Sequence, residues 1–397
     1  MGLKFKISLI LILGIFTSLV SAKAQTYRIS LLTCDPGEDL YMAFGHSAIR
    51  VLDSAKGTDY VFNYGTFNFN TPNFYGKFAG GKLDYMLSVS SYADFVATYH
   101  AEQRGIREQV LNLSVDQQQQ MVEFLQVNYL PERRYYRYDF FFDNCATRIR
   151  DALDLVLGDQ LVWNDQEVNN RERTFRELID EYVLRIPWAD LGIDLALGAV
   201  IDRDANPEEE QFLPDYMEAA FARAVIEGDG PSRPLVKETQ VILEFPKPEE
   251  GLPAINPYWI FWLVAIAFTG ITWIGFKQKR LWVGFDIGLF AFLGILGIIV
   301  MLLWFATEHS ATKWNWNSLW AFPGHLFLAY GLATKKLKSW VRPYLLFALI
   351  MADAAVVFWI LGWQSFHPSL IPLMLVIILR TNYLYYNIEK YKTLARA

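Results

Sequence analysis

Tyr135 to Arg148 reads YYRYDFFFDNCATR, and its character changes part-way. The first eight residues are rich in aromatics, a composition that suits a strand or a half-buried loop. After Asp143-Asn144-Cys145 the apolar residues Ala146, Ile149, Leu153 and Val156 recur three or four apart, the spacing of an amphipathic helix. Cys145 therefore falls at a helix start, with Asn144 or Asp143 as the cap. Free N–H groups and the positive end of the helix dipole favour a thiolate there, and the thiolate is the nucleophilic form. A cysteine in this position that met no partner would be only a small buried apolar side chain.

Upstream, Tyr27 to about Leu113 is strand-like. Short β-branched and aromatic runs (Tyr27 to Thr33, Ala48 to Leu52, Tyr60 to Phe67) are separated by Pro36-Gly37, Lys56-Gly57 and Gly80-Gly81, which predicts a small, largely antiparallel sheet. His46 precedes the second run in Phe44-Gly45-His46-Ser47-Ala48-Ile49-Arg50-Val51. A strand-borne imidazole facing a helix-start thiol is the general arrangement of cysteine–histidine enzymes. A third polar group normally orients the imidazole; Asn63 is the candidate, with Asp53 and Asp59 as alternatives. Ser114 and Gln117 predict a capped helix to about Val127, and two further helical patterns run from Thr174 to Leu184 and from Pro214 to Ile226. The domain reads as α+β.

The chain has 397 residues, 53% of them hydrophobic, which is more than one soluble domain requires. Residues 1 to 24 have the form of a secretory signal, with Lys4 and Lys6, an apolar run and Ala22-Lys23-Ala24 before the expected cut; an uncleaved anchor is the alternative. Residues 25–230 are then an exported domain and 231–257 a proline-rich linker. From 258 to 397, five apolar stretches are expected to span a membrane: Tyr258 to Phe276, Leu281 to Phe305, Leu319 to Ala333, Tyr344 to Trp363 and Leu370 to Leu379. Lys277, Lys279 and Arg280, then Lys335, Lys336, Lys338 and Arg342, and finally Lys390, Lys392 and Arg396 follow the odd-numbered stretches, so these loops and the C-terminus are expected in the cytoplasm.

That topology puts the loops Thr307 to Ser318 and Gln364 to Ser369 on the side of the exported domain. Trp304, Trp314, Trp316 and Trp320 are expected as interfacial anchors there. Asp286 and Asp353, inside apparent spans, are expected to make polar contacts between helices. The net charge of −6 gives no footprint for nucleic acid. Two cysteines are too few for a disulfide scaffold; Cys34 could pair with Cys145, act as a second thiol or merely occupy a turn. The histidines have no metal-ligand spacing, and neither a metal nor a diffusible cofactor is expected.

Asn144-Cys145 after a sheet that begins with His46 resembles the permuted papain-like group that includes lecithin-retinol-type acyltransferases, which implies an NlpC/P60-like fold. Where that motif continues with Glu-His, this chain has Ala146-Thr147. A fuller similarity is to the Bacteroidota lipoprotein N-acyltransferase (Lnb) family, in Leu32-Thr33-Cys34-Asp35-Pro36-Gly37, the His46 segment, Asp143-Asn144-Cys145-Ala146-Thr147-Arg148 and His309-Ser310-Ala311-Thr312-Lys313-Trp314-Asn315-Trp316-Asn317. The resemblance implies a multi-pass inner-membrane acyltransferase with a periplasmic Cys145–His46 site. Its donor would be a membrane phospholipid and its acceptor a diacylglyceryl lipoprotein. Asn144 and Asp143 are the candidates for the cap and oxyanion region, and Ser47, Arg148, His309, Asn315 and Asn317 for substrate contacts. A tethered cell-wall amidase using the same Cys–His chemistry and a non-catalytic membrane sensor are the alternatives.

Overall fold

The computed structural model describes residues 27–164, 172–228, 230–246, 251, 253–334, 336–391 and 394–395. The expected signal segment lies outside them, as do Lys335, Lys392 and Arg396 of the cationic loops. Among the described residues, seven strands form one sheet: β1 (Tyr27–Cys34), β2 (His46–Asp53), β3 (Thr58–Thr66), β4 (Asp84–Ser91), β5 (Ile106–Leu111), β6 (Tyr135–Arg137) and β7 (Val236–Leu243). Their order is β7-β5-β1-β2-β3-β4-β6, with every pairing antiparallel. In β1 the neighbours Leu31 and Leu32 are both fully buried, because successive side chains enter opposite faces and both faces are covered.

One face packs on α3 (Val115–Asn128), α4 (Cys145–Leu157) and α7 (Pro214–Arg223), with Ile49, Phe62 and Leu87 of the sheet meeting Met121, Ile149, Leu153 and Phe221. The other carries α2 (Tyr92–Ala101), whose Phe95 and Tyr99 cover Leu32, Ala48 and Val61. A short helix α1 (Phe74–Ala79) lies in the excursion between β3 and β4. The stretch Pro231 to Pro257 is not a linker throughout. Its proline-free middle, Val236–Leu243, contains Val, Ile and Thr and pairs with β5 as an edge strand, Val236 opposite Leu111 and Leu243 opposite Ile106.

Among the described residues the C-terminal part contains five α-helices: α8 (Pro257–Gln278), α9 (Val283–Ala306), α10 (His325–Ala333), α11 (Val341–Ile360) and α12 (Leu370–Asn387). Among the described residues three of them, α8, α9 and α11, are long and apolar enough to cross a membrane, with mean hydropathies of 1.8, 2.7 and 2.0. The other two of the five expected stretches fall short of that length or apolarity. The third stretch, Leu319 to Ala333, begins in a turn around Pro323-Gly324 and yields a helix of only nine residues. The fifth extends past Leu379 to Asn387 and takes in Arg380, Thr381 and Asn382, which lowers its apolarity; most of its side chains are buried against the other helices. Asp286 makes the expected contact between helices, to Arg380. Asp353 is instead exposed on α11.

Both loops expected on the outer side dock on α5 (Phe175–Val183), α6 (Pro187–Ala196) and the turn after it. Asn315 Nδ2 donates to the carbonyls of Leu195 and Ala196 at 2.9 and 3.1 Å, and Asn317 Nδ2 donates to that of Asp194 at 3.0 Å. These are carbonyls that the end of a helix leaves without partners. Arg176 of α5 holds Asp194 and Asp202, the backbone N–H of Ser365 donates to Asp202, and His367 meets Asp190. Trp320 is 1% exposed, so it is a core residue and not an interfacial anchor; Trp314, 59% exposed, fits the anchor expectation.

Candidate active site

Asn144 starts α4 with both faces of its amide in use. Its Oδ1 accepts from the backbone N–H groups of Ala146 (2.8 Å) and Thr147 (3.0 Å), while Thr147 Oγ1 accepts from the backbone N–H of Asn144 (2.8 Å). Its Nδ2 donates to the carbonyls of Phe140 and Phe212, both at 2.8 Å. This reciprocal cap fixes where the helix begins, and so where Cys145 points. Asp143 is not the cap. It pairs with Arg148, whose guanidinium also lies 3.7 Å over the Tyr136 ring. Both Asn144 and Asp143 are therefore supports for the helix start, and neither side chain is available as an oxyanion donor.

Cys145 and His46 are mutual hydrogen-bond partners, although they are far apart in the chain. His46 begins β2 opposite Cys34. Its Nε2 bonds Asn63 Oδ1 at 3.2 Å, which leaves Nδ1 for the thiol. Asn63 is buried on β3, so the orienting group expected from the sequence meets the imidazole. Asp59 is instead held by Arg50, and Asp53 accepts from the backbone of Ala55 and Lys56.

The sheet opens where the sulfur enters it. The register of β3 on β4 shifts between Asn63 and Thr66, and Gly65 sits there at a φ of +83°, a left-handed conformation that favours glycine. A Cβ at Gly65 would stand 3.6 Å from both Cys145 Cβ and the Tyr138 ring. Tyr138 in turn stacks on Tyr85, with centroids 4.3 Å apart. Gly65, Tyr138 and Tyr85 were not among the residues singled out from the sequence, although a lone glycine inside a strand pattern is a signal for such a bulge. Behind His46 lies a cavity of about 250 Å³ lined by His46, Asn63, Thr66, Phe95 and Tyr99.

Burial alone would push the Cys145 thiol up. The charge of His46, the hydrogen bond to it and the backbone N–H groups of Ser47 and Ala146 outweigh that and hold the thiol below its ordinary range. Burial likewise works against a charged His46, but the facing Cys145 thiolate and the bonds to Cys145 and Asn63 raise its pKa. Both shifts run toward a thiolate–imidazolium pair, with two backbone donors directed at the sulfur, where a developing oxyanion would also sit. Cys34 has no such environment. It is buried, bonded to Tyr99 and pushed up to about 12, first of all by burial, and the two cysteines are both free thiols.

Iodoacetamide alkylation of Cys145 should therefore remain fast on the acid side of about pH 8.5, the ordinary cysteine midpoint. In His46→Ala the rate at mildly acidic pH should fall by roughly tenfold or more, as loss of the facing cation returns the thiol to its protonated form. A wild-type midpoint at or above the ordinary value overturns the ion-pair assignment.

The expected substrate contacts divide. The hydroxyl of Ser47 is fully buried on the core side, and only its backbone N–H reaches the sulfur. Asn315 and Asn317 are fully buried ties to α6, so their amides are not available to a ligand. His309 is exposed and bonds the carbonyl of Ala79. Asp190, Asp194 and His367 have donor atoms within 4.8 Å of one another, a juxtaposition that sequence spacing does not reveal. Each already serves the seam between the two parts: Arg176 holds Asp194, and Ser369 N–H donates to His367 Nδ1, leaving Nε2–H to donate to Asp190.

Residues 18–181 match the Lnb N-terminal periplasmic domain, and residues 248–392 match the Lnb transmembrane domain. The chain belongs to the Lnb family. Its Cys145, His46 and Asn63 lie within the periplasmic domain of that family, and the helices α8 to α12 within its transmembrane domain. This Lnb-family chain is thus a membrane protein with a periplasmic domain. No curated protein and no solved structure matches it.

Proposed function

We propose that this chain, whose Lnb-family domains imply a lipoprotein N-acyltransferase type of function, acylates lipoproteins through a thioester on Cys145. The observation that carries the reading is the hydrogen-bonded Cys145–His46 pair at the start of a capped helix, in a domain bonded directly to a loop between membrane helices. A permuted papain-like fold is part of the same reading; a histidine strand that precedes the cysteine helix in the chain supports it. So is a location in the inner membrane, with α10 and α12 completing a five-helix crossing around the three long spans. Short or polar helices are tolerated at membrane depth when other helices enclose them.

The Cys145 thiolate attacks the carbonyl carbon of a phospholipid acyl ester, and the ester C–O bond breaks as the tetrahedral adduct collapses. His46 gives its proton to the departing glycerol oxygen, leaving lysophospholipid and an acyl-thioester. The α-amine of a diacylglyceryl cysteine then attacks the thioester. Its proton passes to the now neutral His46, the C–S bond breaks, and the amide and the thiolate–imidazolium pair result. The reference pKa of an α-amine, about 7.7 to 8.0, makes a nearby base useful at neutral pH. Asn63 keeps Nδ1 facing the sulfur through both halves. A cell-wall amidase would share this nucleophile but would have no need of the transmembrane domain.

The test is mass spectrometry of N-terminal lipopeptides from one lipoprotein, isolated from cells with and without the gene. The expected result is loss of one amide-linked acyl chain in its absence; identical lipopeptides overturn the reading.

A further inference from the structure

β3 carries Asn63 and Gly65, but it does not turn straight back into β4. Residues 67–83 leave the sheet first and present aromatic rings outward: Phe69 is 68% exposed, Tyr75 80% and Phe78 51%. The rings touch one another. Phe74 lies 5.0 Å from Phe69, 5.3 Å from Tyr75 and 6.3 Å from Phe78 between centroids. A contiguous aromatic patch facing water is unfavourable, and such patches mark surfaces that meet something apolar.

The position of the patch identifies that partner. Helix α9 ends at Ala306, and within three residues the chain is bonded to the excursion: Glu308 N–H donates to the carbonyl of Gly80 at 2.9 Å, and His309 Nε2 lies 3.2 Å from that of Ala79. Lys82 reaches Glu308 at 3.6 Å. The approach is close enough that a Cβ at Gly81, which sits at a φ of +69°, would stand 3.0 Å from the backbone nitrogen of His309. The rings are thereby held beside the periplasmic end of a membrane-spanning helix. Lys77 and Lys82 flank them, and cations beside apolar rings match the phosphates and the upper acyl region of a lipid leaflet.

The patch is also continuous with the site. Phe74 meets Phe67 at 5.7 Å, Phe67 meets Tyr85 at 5.3 Å, and Tyr85 stacks on Tyr138, the ring that shares the Gly65 opening with Cys145. We propose that residues 67–83 seat their aromatic rings in the leaflet facing the periplasmic domain, and that the lane of Phe67, Tyr85 and Tyr138 leads one phospholipid acyl chain from that leaflet to Cys145. The occupant is a bilayer phospholipid. The second half rests on the acyltransferase reading; the seating in the leaflet does not.

Two measurements on the full chain in nanodiscs of phosphatidylethanolamine and phosphatidylglycerol test this. In a Cys34→Ala, Cys145→Ser background, which carries out no thioester chemistry, a nitroxide is placed by Phe78→Cys and, as a water-facing control, by Glu123→Cys on the exposed face of α3. The label at 78 should be relaxed more by oxygen than by a water-soluble nickel chelate, at a depth of about 5–10 Å. Equal access of the chelate at 78 and 123 overturns the seating. In the second measurement Tyr75→Glu with Phe78→Glu should lower acylation of Cys145 by nanodisc lipid at least tenfold, with iodoacetamide alkylation of Cys145 showing that the site is assembled. An undiminished rate overturns the lane. A wild-type chain that forms no acyl adduct overturns the acyltransferase reading and with it the lane, while the nitroxide result still decides the seating.

Discussion

Cys145→Ser is expected to lower lipoprotein N-acylation by at least about a thousandfold, with the protein still folded. A serine hydroxyl in place of the thiol has no accessible anion, so His46 faces a neutral group and the mutual stabilisation of thiolate and imidazolium is lost. The cap does not depend on the sulfur, because Asn144 and Thr147 satisfy each other and the first helical N–H groups. His46→Ala should fall to a similar floor. The double variant should fall no further, since a nucleophile and its base act as one unit. The measurement is the fraction of triacylated N-terminal lipopeptide in cells carrying each variant at matched membrane abundance. Activity of Cys145→Ser within tenfold of wild type would sink the thioester route.

The second large effect concerns stability. Arg380 of α12 donates from Nε and Nη2 to the two oxygens of Asp286 on α9, both at 2.7 Å, and from Nη1 to Thr272 on α8 at 2.8 Å. Arg380 and Asp286 are fully buried. Asp286→Ala leaves a guanidinium enclosed among helices without its counter-charge and should destabilise the bundle by about 3–5 kcal/mol. Asp286→Leu combined with Arg380→Met removes both charges together and should recover most of that loss. Thermal unfolding in detergent, followed by the fraction that stays monodisperse, reads both outcomes. A single variant as stable as wild type would show that the pair does not join the three helices.

Several features follow from short-range chemistry. Asn144-Cys145 ahead of a helical repeat announces a capped helix with a thiol at its start, because capping involves residues within three positions of one another. Asn63 was legible for a similar reason: β2 and β3 form a hairpin about Lys56-Gly57, and its register returns residue 63 to the neighbourhood of residue 46. The apolar runs of α8, α9 and α11 declare membrane helices without reference to anything else in the chain. The strand Val236–Leu243, by contrast, was obscured by the prolines around it, and its place on β5 depends on an edge far away in the chain.

Polar residues are where reading the chain alone stops. Asn315 and Asn317 have the same donors and acceptors whether they hold a ligand or a backbone carbonyl, and only packing against α6 makes them structural, as only packing into the sheet core buries the Ser47 hydroxyl. Trp320 likewise differs from Trp314 in surroundings and not in kind. The meeting of Cys145 with His46, the opening at Gly65 and the Asp286–Arg380 pair join segments that no local rule connects. Local bonding selects each helix and strand, because its energies arise between near neighbours; which buried charges and donors come to face one another is settled when distant surfaces pack, since only then does each group lose water and require a partner.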